Sequence, residues 1–173
     1  EHEAPDPGPY FVATPIRLSA QAQPGYRFSR FTSNIPIDGR TEWTIAHAWV
    51  AGDIHGTVFF SFPMPGENVE ITAHYLANNY SLTLSGSPTT WGTLSDATNT
   101  PPYQVNSPIT VHAAPTLGYR LVKIVSDVAL MDKPPGYEWT MQDDALTQVE
   151  GGAVDFAITM PPSNLGLTAY FEV

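Results

Sequence analysis

The chain has no cysteine, few cations and no long apolar run, and each deficit removes a class of function. Without cysteine it forms no disulfide, no thiolate zinc site and no cysteine nucleophile. Seven Lys and Arg stand against seventeen Asp and Glu, giving a formal net charge of -10. Because nucleic acids are recognised through clustered cations, we expect no nucleic-acid partner. No stretch approaches the roughly 18 to 20 apolar residues of a spanning helix, so we expect no membrane insertion.

The 173 residues nevertheless include 42% hydrophobic and 12% aromatic side chains, which is enough to fill a core. Charged residues make up only 14%, against about 25% in a typical soluble domain. Thr, Ser, Asn and Pro are plentiful instead. This composition favours an extracellular or cell-surface location.

An internal repeat organises the chain. The segment Val12–Ser33 matches Val105–Ser126, with Pro-Ile and Gly-Tyr-Arg recurring in step. The segment Val58–Leu76 likewise matches Val154–Glu172, and a Glu-Trp-Thr motif precedes it in both copies. The match predicts three parts: a Pro-rich extension (1–11), a first module (12–77) and a second module (78–173).

Both modules are predicted to be built from antiparallel β-strands. Apolar and polar residues alternate with a period of two, as in Ile16 to Gln21 and Val69 to Tyr75, which is typical of strands with one buried face. We therefore predict an all-β fold of two small modules, sandwich-like or β-grasp-like. The Glu-Trp-Thr segments fit either a strand or a short helix, and a strand is favoured. The predicted cores contain Ile16, Leu18, Tyr26, Phe28, Phe60, Phe62, Val69 and Ile71 in the first module, and Ile109, Val111, Tyr119, Leu121, Phe156, Ile158, Leu165 and Leu167 in the second.

The two modules differ at their beginnings. Residues 80–104 read as a strand, a turn and a second strand, whereas the first module has only residues 1–11 there, three of them proline. Proline lacks the N–H that a strand ladder needs, so the first module is predicted to lack this hairpin. A missing hairpin leaves unpaired edges, which three sources can cover: a longer array, the folded-back N-terminal segment, or a second subunit that donates a strand.

The second module resembles the divergent internalin B-repeat family. The likeness lies in Tyr80–Leu84, Gly92-Thr93, Pro108–Pro115, Gly118–Arg120 and Met160–Phe171, and without the first hairpin it extends to residues 12–76. It implies small, β-rich spacer modules of secreted or wall-attached bacterial proteins with no general catalytic role. The Glu-Trp-Thr insertions depart from the family pattern.

No motif in the chain predicts catalysis. It has no Gly-x-Ser-x-Gly elbow, no glycine-rich phosphate loop, no His-x-x-x-His pair and no Asp-x-Asp-x-Asp run. Asp53 and Asp143-Asp144 lie in related acidic loops and are expected to be ordinary loop residues rather than calcium ligands. We therefore expect no enzymatic activity, no cofactor and no metal site.

The interpretation that remains is a structural or adhesive protein of the cell surface. Its predicted partners are further copies of itself, joined into a homo-oligomer or filament by donated strands, with Tyr10, Phe11 and Val12 as the assembly residues. The alternative is a module that binds a surface glycan or protein receptor through exposed aromatic rings. The predicted ligand-binding residues are then Trp49, Trp91 and Tyr103, since neither tryptophan has a counterpart in the other module.

Overall fold

The structure is a computed structural model that describes residues 10–98, 101–148 and 152–173. The predicted all-β class is confirmed, because every regular element in these ranges longer than a single turn is a β-strand. None of these residues belongs to a helix long and apolar enough to cross a membrane. The chain divides into two compact units, Glu1–Ala77 and Asn78–Val173.

Unit 1 is a sandwich of two three-stranded antiparallel sheets. One sheet has the order β4-β5-β1 and the other the order β3-β2-β6. The apolar faces of both sheets supply one buried cluster, centred on Phe31, Trp43 and Phe60. The strands are β1 (Pro15–Gln21), β2 (Tyr26–Ile37), β3 (Arg40–Trp43), β4 (Val50–Gly52), β5 (Thr57–Pro63) and β6 (Ile71–Ala77).

Unit 2 has two four-stranded sheets and a short additional strand pair. The sheets have the orders β14-β15-β11-β9 and β13-β12-β16-β8, and β7 pairs with β10. A single buried cluster again draws on both sheets. The strands are β7 (Asn79–Tyr80), β8 (Leu82–Ser87), β9 (Gly92–Asp96), β10 (Tyr103–Gln104), β11 (Pro108–Pro115), β12 (Arg120–Ser126), β13 (Glu138–Trp139), β14 (Leu146–Gln148), β15 (Val154–Thr159) and β16 (Leu165–Glu172).

The internal repeat corresponds to a shared topology. The pairings among β1 to β6 in unit 1 recur among β11 to β16 in unit 2. Both Glu-Trp-Thr segments contribute a strand, β3 and β13, as favoured from the sequence. Trp43 and Trp139 are buried at the ends of these strands, each in the core of its own unit.

Among the described residues, two strands that extend the main sheets of unit 2 have no counterpart in unit 1: β8 and β9, which we call, with their connecting turn, the closing segment (82–96). The closing segment differs from the hairpin that its strand-turn-strand pattern predicts. β8 pairs with β16 in parallel and β9 pairs with β11 antiparallel, so each strand extends a different sheet. The segment therefore closes one side of the sandwich, crossing from one sheet to the other at its turn.

Candidate functional site: the open side of unit 1

Among the described residues of unit 1 no closing segment covers the corresponding side of the sandwich, which we call its open side. In unit 2 the outer edges of β11 and β16 are occupied by β9 and β8. In unit 1 the equivalent strands, β1 and β6, end their sheets. Within the described residues, both edges therefore present backbone groups with no partner strand, which is the arrangement to which a further strand adds.

The hydrogen-bonding direction of β1 identifies the groups at its open edge. Ala22 donates its backbone N–H to the Gly56 carbonyl at 3.0 Å, on the β5 side. Because the direction alternates along an antiparallel strand, the N–H groups of Arg17, Ser19 and Gln21 point away from β5. In unit 2, Thr110, which matches Arg17, accepts from the Ala97 N–H at 2.8 Å on that side.

The same reasoning applies to β6. Asn34 donates its N–H to the Glu70 carbonyl at 3.2 Å, so Glu70 is bonded towards β2. The N–H groups of the alternate residues, including Ile71 and Ala73, therefore point to the open edge. In unit 2 the matching edge is bonded, since Leu165 donates to the Ser81 carbonyl at 3.0 Å.

The inner face beside these edges is also less covered than in unit 2. Ile71 is half-buried, whereas its match Leu167 is fully buried. Tyr75 is 38% exposed, whereas its match Phe171 is 4% exposed. The same residue positions thus face inward in both units, and they are less buried in the unit that lacks β8 and β9.

Three residues of the closing segment cover the aromatic rings of Phe171 and Tyr119 in unit 2. Gly86 and Gly92 lie against the ring of Phe171, and a Cβ added to Gly92 would come within 2.5 Å of that ring. Trp91, at the turn, stacks on Tyr119 with ring centroids 4.9 Å apart and planes inclined by 21°. Glycine permits the close approach of the segment, and the tryptophan covers the tyrosine.

Tyr26 and Tyr75 are the uncovered counterparts in unit 1. Tyr26 is 37% exposed, which contradicts its predicted place in the first core. Its match Tyr119 is half-buried beneath Trp91, so the difference follows from the missing turn. Tyr75 touches Phe28 edge-on with centroids 6.4 Å apart, and its partial burial raises the pKa of its phenol above 10.0. The open side is therefore lined by aromatic rings with remaining accessible surface.

Few charges protect the open edges. Natural edge strands are commonly guarded by lysines, inward-pointing charges or proline. Strand β1 carries Arg17, whose guanidinium lies 4.2 Å from the centre of the Phe59 ring, and it begins with Pro15. Strand β6 has no Lys, Arg, Asp or Glu, and its His74 accepts or donates a hydrogen bond with Thr32 at 2.8 Å. Of the stretches that match the covered parts of unit 2, residues 18–22 carry no charged side chain and residues 69–74 carry one acidic side chain, the exposed Glu70.

The predicted assembly residues are exposed. Phe11 is 84% exposed, and Tyr10 and Val12 are exposed as well. The next two residues are held within unit 1, because Ala13 donates to the Met64 carbonyl and Thr14 accepts from the Met64 N–H, both at 2.8 Å. The Phe11 carbonyl also accepts from the Thr14 N–H at 3.1 Å, and residues 1–9 lie outside the described residues.

Each of the predicted ligand-binding aromatics packs within its own unit. Trp49 packs on the core of unit 1 beside Trp43, with planes inclined by 20°. Trp91 uses one ring face on Tyr119. Tyr103 is only 4% exposed, and its hydroxyl donates to Asp96, so burial removes it from the predicted ligand-binding set.

The carboxylates of Asp53 and Asp143, in the two acidic loops, accept hydrogen bonds from backbone N–H groups of their own loops. Asp53 accepts from the His55 N–H at 2.9 Å. Asp143 accepts from the Thr140 N–H at 2.7 Å, and this bond holds the pKa of its carboxyl below 3.8. Nowhere in residues 10–98, 101–148 and 152–173 do three or more His, Asp or Glu side chains come together as a metal cluster.

No protein-family model, curated protein or solved structure matches the chain.

Proposed function

We propose that this chain is a non-catalytic structural or adhesive protein of the cell exterior. In this proposal unit 1 joins copies of the chain into an oligomer or filament by accepting β-strands along β1 and β6. The low charge content supports the location, as does the resemblance to internalin B-repeats, which stays a prediction. The open side of unit 1 supports the mode of assembly.

One observation carries the proposal: the same topology occurs twice, once closed and once open. In unit 2 both edges are paired and the matching inner residues are buried. In unit 1 the edges end their sheets, and Tyr26 and Tyr75 remain partly exposed. Added strands supply main-chain hydrogen bonds and apolar cover together. Contacts of one surface with a different surface on the next copy give filaments when their rotation does not close.

The experiment is light scattering and negative-stain imaging of the concentrated full chain and two variants at one position. Ser19 is exposed, and its N–H points to the open edge. Ser19→Pro removes that donor and leaves the β5 side of the strand bonded, whereas Ser19→Ala keeps it. We expect oligomers or filaments from the native chain and Ser19→Ala, and loss of assembly in Ser19→Pro.

A strictly monomeric native chain at high concentration would refute self-assembly. Assembly that persists unchanged in Ser19→Pro would place the contact elsewhere on the molecule. Circular dichroism and amide exchange of unit 1 verify that the proline variant keeps its fold.

The geometry gives less support to carbohydrate binding. A sugar platform needs an accessible ring face, yet Trp49 and Trp91 each lie against another ring and Tyr103 is buried. A glycan array tests this alternative directly, with Trp91→Ala as the variant that should lose any signal.

A further inference from the structure

We propose that the open side of unit 1 accepts a strand-turn-strand segment with the geometry and chemistry of the closing segment, in place of a single strand. This inference rests on the proposed role of β1 and β6 as strand acceptors. The occupant's first strand runs parallel to β6 and its second antiparallel to β1. A glycine faces Tyr75, and an aromatic residue at the turn covers Tyr26.

The directions follow from the shared topology. In unit 2, Leu82–Ser87 runs parallel to Leu165–Tyr170, which matches Val69–His74 of unit 1. Gly92–Asp96 runs antiparallel to 111–115, which matches 18–22 of unit 1. Because the matching backbone groups point to the open side, an occupant in this register meets donors and acceptors along both edges.

A single donated strand fills only one of the two sheets. The other edge then stays unpaired, and the space between the sheets stays open. The leading segment of a second copy is a poor ladder strand for another reason: Pro5, Pro7 and Pro9 lack backbone N–H groups. Two strands joined by a short turn satisfy both edges at once, as the closing segment does in unit 2.

The aromatic residues define the side chains that the occupant needs. Tyr75 replaces Phe171, whose ring leaves no room for a side chain at Gly92. An occupant that crosses above Tyr75 therefore needs glycine at that point. Tyr26 replaces Tyr119, on which Trp91 stacks, so an aromatic residue at the turn gains a ring partner. These two requirements distinguish the occupant from a generic edge strand.

The probe is a synthetic peptide of residues 80–98, added to the full-length chain labelled for NMR. Amide hydrogen exchange is measured residue by residue. We expect at least about tenfold slower exchange at both edges of unit 1, at Arg17, Ser19 and Gln21 on β1 and at Ile71 and Ala73 on β6. The amides of unit 2 serve as the internal control, since their edges are already paired.

Three further peptides test the stated chemistry. A Gly92→Val peptide should bind about tenfold more weakly, because the added side chain meets the Tyr75 ring. A Trp91→Ala peptide should bind more weakly and leave the Tyr26 ring signals unshifted. A peptide of residues 1–12 should fail to compete.

The inference is overturned if the 80–98 peptide protects neither edge or only one, or if the 1–12 peptide displaces it. These outcomes are separable from the test of self-assembly. If copies assemble and Ser19→Pro prevents it while the 80–98 peptide has no effect, the proposed function stands and this inference fails. If the peptide protects both edges but the chain stays monomeric, self-assembly fails and the chemistry of the acceptor stands.

Discussion

The matched pair Phe171 and Tyr75 gives the most direct test of the difference between the two units. Both residues occupy the same strand position, and only Phe171 lies beneath the closing segment. Phe171→Ala removes a buried ring from an enclosed site, so it should destabilise unit 2 by about 3–5 kcal/mol. Tyr75→Ala removes a ring that is 38% exposed at an open side. Since no closed cavity forms there, we expect a loss of only about 1 kcal/mol in unit 1.

The assay is urea denaturation followed by hydrogen exchange and mass spectrometry, because peptides from each unit report its own transition. A single spectroscopic curve would mix two units that need not unfold together. Equal losses in the two variants, or a larger loss for Tyr75→Ala, would refute the claim that the open side leaves Tyr75 poorly packed. Phe171→Leu serves as a control, since it keeps an apolar side chain and should retain most of the stability.

Two further results are expected from single substitutions. Gly92→Ala should destabilise unit 2 by about 1–3 kcal/mol, because the added Cβ would meet the Phe171 ring at 2.5 Å. Gly66→Ala is the control: its added Cβ would have its nearest contact at 3.9 Å, so the free energy of unfolding should change by no more than about 0.5 kcal/mol. Chemical denaturation measures both effects. The Thr140 N–H lowers the pKa of Asp143 below its ordinary 3.8, so this carboxylate stabilises the folded state above that value and the contribution is lost as pH falls through the lowered pKa. Stability measured from pH 6 to 2 should therefore fall less steeply in Asp143→Asn than in the native chain.

The strands could be predicted from the sequence because burial of one sheet face imposes a period of two. The alternation in Ile16 to Gln21 predicted a strand where the structure has β1, and its repetition at Ile109 to Ala114 predicted one where the structure has β11. Comparison of the two copies also predicted that the first lacks a strand-turn-strand segment. Periodicity reports which face of a strand is buried, and it carries no information about the neighbouring strand. The parallel pairing of β8 with β16 was therefore not predictable from that pattern.

The site residues were harder to predict because exposure depends on what covers a side chain. Tyr26 has the apolar spacing of a core residue, but the ring that covers its match belongs to the closing segment. Tyr103 lies in a Pro-rich stretch typical of a surface loop, yet it is buried with its hydroxyl bonded to Asp96. The packing role of Gly86 and Gly92 was missed as well. Gly92 entered the sequence analysis only as part of the family resemblance, and the two glycines flank the turn of a strand pair that has no match in the first module.

The core of unit 1 explains how a sandwich with an open side remains packed. Where unit 2 has Leu121, Ile124 and Ile158, the matching residues of unit 1 are the phenylalanines 28, 31 and 62. Their rings form a continuous set with Phe60: the centroids lie 4.7 Å apart for 28 and 31, 5.0 Å for 31 and 60, and 4.8 Å for 60 and 62.

Aromatic pairs of this kind stabilise by about 0.5–1.5 kcal/mol each beyond the area that they bury. Larger rings thus fill the interior of unit 1 from its own six strands, and they offset the apolar cover that β8 and β9 provide in unit 2. We therefore expect unit 1 to fold without added strands and to keep its edges unpaired, which is the property that the proposed strand acceptor requires.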